Sequence, residues 1–125
     1  MSLFTALFLL LASAASATDL TLHLSDPTPI SRKTVTFNCD AQGAALGLPA
    51  GPFSVEYVNG AGNSLAILPI EGRSLIFVSV LTGSGARYAS GRYIWIDAGS
   101  RGVYLETSSL ADQQRTSCQR VGQSK

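Results

Sequence analysis

From residue 34 onward the chain is a series of short stretches in which apolar and polar residues alternate, each ended by turn-forming residues. Thr34-Val-Thr-Phe-Asn-Cys39 puts Val35, Phe37 and Cys39 on one face. Phe53-Ser-Val-Glu-Tyr57 does the same with Phe53, Val55 and Tyr57. Period-two patterning is the mark of a strand with one buried face. The turn cluster Asn59-Gly60-Ala61-Gly62-Asn63 leads into a third strand, Ser64–Leu68, closed by Pro69. Arg73–Val80 reads as a fourth strand, apolar on both faces, followed by a Gly83–Arg87 loop. Arg92–Asp97 is a fifth strand, Ala98–Gly102 a loop and Val103–Glu106 a sixth strand. Leu20–Leu24 and Arg115–Gln119 add one strand each, giving eight. Twelve Gly and five Pro, with no helix-forming stretches after residue 17, exclude a helical bundle. The expectation is an all-β domain, either an antiparallel sandwich or a small barrel; closure into a barrel would remove exposed sheet edges. Gln42–Pro52, rich in Gly, Ala and Pro, reads as a surface loop, and residues 120–125 as a flexible tail.

The first 17 residues read as an export signal. Leu3–Ala12 is an unbroken run (LFTALFLLLA) of mostly apolar residues, and Ala15-Ser16-Ala17 fits the small-x-small cleavage rule. The run is too short to span a bilayer of about 30 Å. No Cys follows the cleavage site, so no membrane anchor is expected, and the mature protein should be periplasmic or secreted. What remains, 125 − 17 = 108 residues, is the size of one domain. In an exported chain the only two cysteines, Cys39 and Cys118, are expected to pair. Closing a loop of 118 − 39 = 79 residues stabilises by about 4 kcal/mol on the chain-entropy argument. Two Cys and one His do not make a zinc site without carboxylates, so no metal is expected.

Nine Lys/Arg against eight Asp/Glu leave +1, which does not suit a nucleic-acid binder. Catalytic patterns are absent. His23 is the sole histidine and has no nucleophile partnered to it in the sequence. Gly83-Ser84-Gly85 is not a Gly-x-Ser-x-Gly elbow, because Thr82 and Ala86 flank it. Asp97 borders a loop but has no acidic neighbour with which to run a paired-carboxylate hydrolysis. The residues alone therefore indicate a non-enzymatic exported all-β domain with one disulfide and no cofactor. A sheet edge or a Tyr-rich face offers a way to pair two copies.

The stretch from 79 to 105 goes further. Ser84-Gly85-Ala86-Arg87-Tyr88 is followed by Tyr93 and Trp95, then a Gly-rich loop and a strand, with Phe37-Asn38-Cys39-Asp40 upstream and Cys118 downstream. This resembles the inhibitors of c-type lysozyme of Gram-negative envelopes, the membrane-bound and periplasmic MliC/PliC family. The resemblance implies a small antiparallel β-barrel of about eight strands over residues 34–119, with 18–33 as an N-terminal extension or edge strand. The missing lipid-attachment Cys favours the periplasmic branch.

The resemblance also implies a site. In the family a Ser-Gly-x-x-Tyr loop enters the lysozyme cleft, and its serine meets a catalytic carboxyl; the matching residues are Ser84, Gly85, Ala86, Arg87 and Tyr88. A second loop, after the Trp strand, offers a Lys before Gly that meets the other carboxylate. Here this chain departs. A straight count from Trp95 puts Asp97 in the Lys position, whereas two extra residues put Arg101 and Gly102 there. Arg101 is favoured because Asp97 would repel a carboxylate, with Arg87 and Arg92 as further cations. Tyr88, Tyr93 and Trp95 would brace the loops. The expected partner is thus a c-type lysozyme, inhibited to protect peptidoglycan. The alternative is an exported β-barrel binding or adhesion module that leaves lysozyme untouched.

Overall fold

Eight antiparallel strands, each hydrogen-bonded to its neighbours in chain order, close into a barrel in a computed structural model that describes residues 17–108 and 113–122. They are β1 (Ser31–Cys39), β2 (Phe53–Gly60), β3 (Asn63–Ile70), β4 (Arg73–Ser79), β5 (Ala86–Ser90), β6 (Tyr93–Asp97), β7 (Val103–Thr107) and β8 (Arg115–Arg120). Two-residue turns join β2 to β3, β3 to β4 and β5 to β6, the tightest connection antiparallel strands allow. The expected export signal lies outside the described residues apart from Ala17, as do residues 123–125 of the expected tail.

Registers explain the core. Tyr57, Ala66 and Phe77 face one another across β2, β3 and β4, and Tyr88, Trp95, Leu105 and Thr116 do so across β5 to β8. Because side chains alternate along each strand, such rows all point inward, and every one of these residues is buried. Trp95 has no exposed surface and meets Phe37 edge-on, ring centroids 5.1 Å apart. That geometry sets the positive ring edge against the negative ring face.

Three expectations change. Leu20–Leu24 alternates like a strand but forms none. The barrel is closed by β1 pairing with β8, so this segment finds no ladder and leaves its leucines exposed. The eighth strand is instead β5, within and just beyond the stretch expected to be a loop. Only Tyr88 of β5 is fully buried, so the strand lacks an alternating apolar signature. Gln42–Pro52 is not simply a surface loop. It holds a short helix, α1 (Gln42–Ala45), after which Leu46 and Leu48 join the core. A hydrogen bond from the Glu71 amide to the Gly47 carbonyl (2.8 Å) carries this excursion across to the β3–β4 turn. Burying two leucines outweighs the turn-forming character of the Gly, Ala and Pro around them. Strand β1 begins at Ser31, three residues before the alternation that marks it in the sequence, and β8 runs on to Arg120.

Antiparallel order sorts the connections between two ends. One end carries the 40–52 excursion and the β3–β4 and β5–β6 turns. Cys39 and Cys118 are directly paired across β1 and β8 near it and are disulfide-bonded, as expected. Asp40 ties the same seam: its carboxylate accepts from the Thr116 hydroxyl (2.6 Å) and from the Ser117 amide (3.1 Å). The opposite end carries the β4–β5 and β6–β7 loops.

Candidate functional site

The two loops singled out in the sequence lie side by side at that second end. Residues 80–85 connect β4 to β5, and residues 98–102 connect β6 to β7. Since Ala86 pairs with Asp97, the first loop ends where the second begins. Gly85 brings them into contact. A Cβ placed on it would lie 3.0 Å from the Ala98 Cα and 3.1 Å from the Asp97 carbonyl oxygen, and its φ is +72°. Any larger residue would both strain the backbone and push the loops apart.

Each loop is held by its own hydrogen bonds. The Val80 amide donates to the Arg87 carbonyl (2.8 Å), and the Thr82 hydroxyl to the Ser84 carbonyl (3.1 Å). These leave Ser84 exposed at the tip, with its hydroxyl free to face a partner. In the second loop a single 3-10 turn, Gly99–Arg101, is closed by the Arg101 amide donating to the Ala98 carbonyl (3.2 Å) and the Gly102 amide to the Gly99 carbonyl (3.1 Å), and the Ala98 amide donates across it to the Gly102 carbonyl (2.9 Å). Gly102 has φ +122°, and a Cβ there would overlap the Tyr104 ring. The Tyr104 hydroxyl in turn donates to the Arg101 carbonyl (3.3 Å). The Arg101 side chain is exposed and forms no ion pair among the described residues.

Beneath the loops is a polar network on which they rest. The Trp95 indole N–H donates to the Tyr57 hydroxyl (2.9 Å), and that hydroxyl donates to Asp97 Oδ2 (3.0 Å). Arg120 donates to the same oxygen (2.7 Å), while Asp97 Oδ1 accepts from the Gly99 amide (3.1 Å). The Asp97 side chain is only 10 % exposed. Burial, and after it the neighbouring Asp97 charge, pushes the Tyr57 phenol well above the ordinary tyrosine value, so it stays protonated and remains a donor. Burial also raises the Tyr88 phenol, with Asp97 contributing. Asp97 is therefore committed inward, its charge balanced by Arg120, and it anchors the second loop instead of presenting a carboxylate to a partner.

The structure thus gathers Ser84, Gly85, Ala86, Arg101 and Gly102 at one end of the barrel. Arg87 is half-buried on β5, near the same end. Tyr88 is buried beside Tyr57, ring centroids 5.8 Å apart, and Trp95 is fully buried, so neither presents its ring at the surface. Arg92 does not belong to it. Arg92 sits in the β5–β6 turn at the opposite end, against the Tyr93 hydroxyl (3.0 Å) and Glu71. Two members of the network, Tyr57 and Arg120, went unassigned to the site in the sequence. They lie 40 and 23 residues from Asp97, and no local pattern signals such a meeting.

His23 is exposed on the N-terminal segment, and among the described residues no three metal-binding side chains cluster. A shallow groove of about 240 Å³ lies elsewhere, on the outer wall of β1–β4 between Thr34, Glu56, Pro69 and Ser74. Among the described residues no helix is long and apolar enough to cross a membrane.

Residues 37–107, more than half of the chain, match the family described as membrane-bound lysozyme-inhibitor of c-type lysozyme. A membrane-bound lysozyme inhibitor of C-type lysozyme from Pseudomonas aeruginosa is 50% identical over 44 residues, 34% of this chain and 35% of the relative. Its namesake from Cupriavidus necator is 39% identical over 71 residues, 57% of this chain and 50% of the relative. The chain thus spans about a third to a half of the length of these curated relatives. The barrel superposes on Pseudomonas aeruginosa MliC, solved in complex with hen egg white lysozyme. The TM-score is 0.63 at 28% identity, covering 84% of this chain and 98% of that one.

Proposed function

The chain belongs to the family of membrane-bound lysozyme inhibitors of c-type lysozyme, and from this membership and the paired loops we propose that it inhibits a c-type lysozyme by inserting both loops into the active-site cleft. It acts as a stoichiometric binding protein rather than as an enzyme, in the periplasm or outside the cell, and protects peptidoglycan there.

The chemistry of the target supports this reading. A retaining glycosidase such as lysozyme carries one protonated acid and one ionised carboxylate about 5 Å apart. The exposed Ser84 hydroxyl can donate to, or accept from, either of them. The Arg101 guanidinium can pair with the ionised one, and exclusion of water from the cleft strengthens that contact. The single observation that carries the proposal is the contact of Gly85 with Asp97 and Ala98. It holds a hydroxyl loop and a cation loop side by side at one end of the barrel. Loops ordered before binding lose little entropy on entering the cleft.

The test is a titration of c-type lysozyme activity with the purified protein. Wild type is expected to inhibit stoichiometrically. The double variant Ser84→Ala with Arg101→Ala should inhibit at least tenfold more weakly while unfolding at the same temperature, since both side chains are exposed. Equal inhibition by the double variant would disprove the assigned contacts.

A further inference from the structure

We propose that Leu81 is an apolar anchor of the same interface, seated against the apolar wall of the lysozyme cleft while Ser84 meets its carboxyl; this rests on the inhibitor reading above. Leu81 is 98 % exposed, the most exposed large apolar side chain among the described residues. It contributes almost nothing to the core, yet both of its neighbours in the chain are hydrogen-bonded. The hydrogen bonds Val80 to Arg87 and Thr82 to Ser84 bracket it, three residues before Ser84. It is not an isolated surface leucine. Ile76, Val78 and Val80 are exposed in alternation along β4 and its end, so an apolar stripe runs along the outer wall to the residue before Leu81. No charged residue occurs between Arg73 and Arg87. The protrusion therefore presents three chemistries: an aliphatic side chain, a hydroxyl and, on the adjoining loop, an unpaired cation.

A carboxyl group held against an apolar surface satisfies all three. The general acid of lysozyme is in such a place, since a hydrophobic pocket is what keeps it protonated near neutral pH. Burying a leucine that begins almost wholly in water recovers its full transfer free energy, and because the loop is already ordered little is lost in fixing it.

The experiment compares wild type, Leu81→Ser, Leu81→Met and the Ser84→Ala/Arg101→Ala double variant against hen egg white lysozyme, by activity titration, by calorimetry and at two salt concentrations. Leu81→Ser should bind between about ten- and a hundredfold more weakly with an unchanged melting temperature. Leu81→Met, which restores apolar bulk, should stay within a few fold of wild type. The Leu81→Ser defect should persist at high salt and should make the binding heat capacity less negative, the mark of lost apolar burial. Wild-type inhibition by Leu81→Ser, alongside a weakened double variant, would remove Leu81 from the interface and leave the inhibitor reading standing. A wild-type protein that fails to inhibit would overturn both. Self-association of wild type that Leu81→Ser abolishes, with inhibition unaffected, would assign the side chain to a contact between copies and overturn the anchor.

Discussion

The two ends of the barrel are built to different ends. At one, the chain is tied down: Cys39 and Cys118 are covalently joined, Asp40 bonds across the same seam, and Leu46 and Leu48 are buried in the core. At the other, the loop tips are exposed, and what holds them lies beneath, in the Trp95–Tyr57–Asp97–Arg120 chain of hydrogen bonds. The first end uses a covalent bond and apolar burial, which keep the strands together regardless of what is displayed elsewhere. The second uses directional polar contacts, which fix the position of a loop without covering it. The two solutions differ because a side chain left exposed at a loop tip cannot also be buried in the core.

This division is open to tests of decreasing severity. Replacing Cys39 and Cys118 by Ser should cost the most, about 4 kcal/mol from the loop of 79 residues, read by denaturant unfolding. The fraction that remains folded should still inhibit as wild type. A weakened affinity in that folded fraction would show that the stapled end also shapes the loops.

Asp97→Ala should cost less, about 2 kcal/mol, because it strips the acceptor from the buried Tyr57 hydroxyl and from Arg120. Unlike the cysteine variant it should also loosen the Arg101 loop and weaken inhibition. Trp95 is the only tryptophan, so the indole N–H resonance reports the network directly. A variant in which that resonance stays put would place Tyr57 and Trp95 under the control of packing alone.

The smallest effect belongs to Asp40. Hydrogen bonds from Thr116, then from Ser117 and Gln42, hold its carboxyl below the usual aspartate value. A carboxyl depressed on folding stabilises the native state above the unfolded-state value, near 4, and that contribution disappears as pH falls through the folded-state value. Unfolding measured between pH 7 and pH 2 should therefore show Asp40→Asn to be less stable than wild type at neutral pH, with the two converging under acid. A constant gap across that range would assign the effect to shape rather than to charge.

The candidate site is legible residue by residue where its parts are local. Ser84-Gly85-Ala86-Arg87-Tyr88 and Arg101-Gly102 are contiguous, and their chemistry can be read from their identities. Arg92 misled for the same reason: an arginine near the Trp strand looks like a spare cation until the β5–β6 turn puts it at the far end. A linear count leaves Asp97 open, and no local pattern shows that its carboxylate bonds Tyr57, Arg120 and Gly99 beneath the loops.

By itself the sequence determined the strands with one polar and one apolar face, the pairing of the two cysteines and the chemical character of both loops. These follow from period-two alternation, from the cysteine count of an exported chain and from residue identity, all of which act over a few residues. Tertiary structure alone decided that Leu20–Leu24 stays unpaired while Ala86–Ser90 pairs, that Leu46 and Leu48 are buried, and that Arg120 reaches Asp97. Each of these depends on which distant segments meet when the barrel closes, and closure is a property of the whole sheet that no single stretch of it encodes.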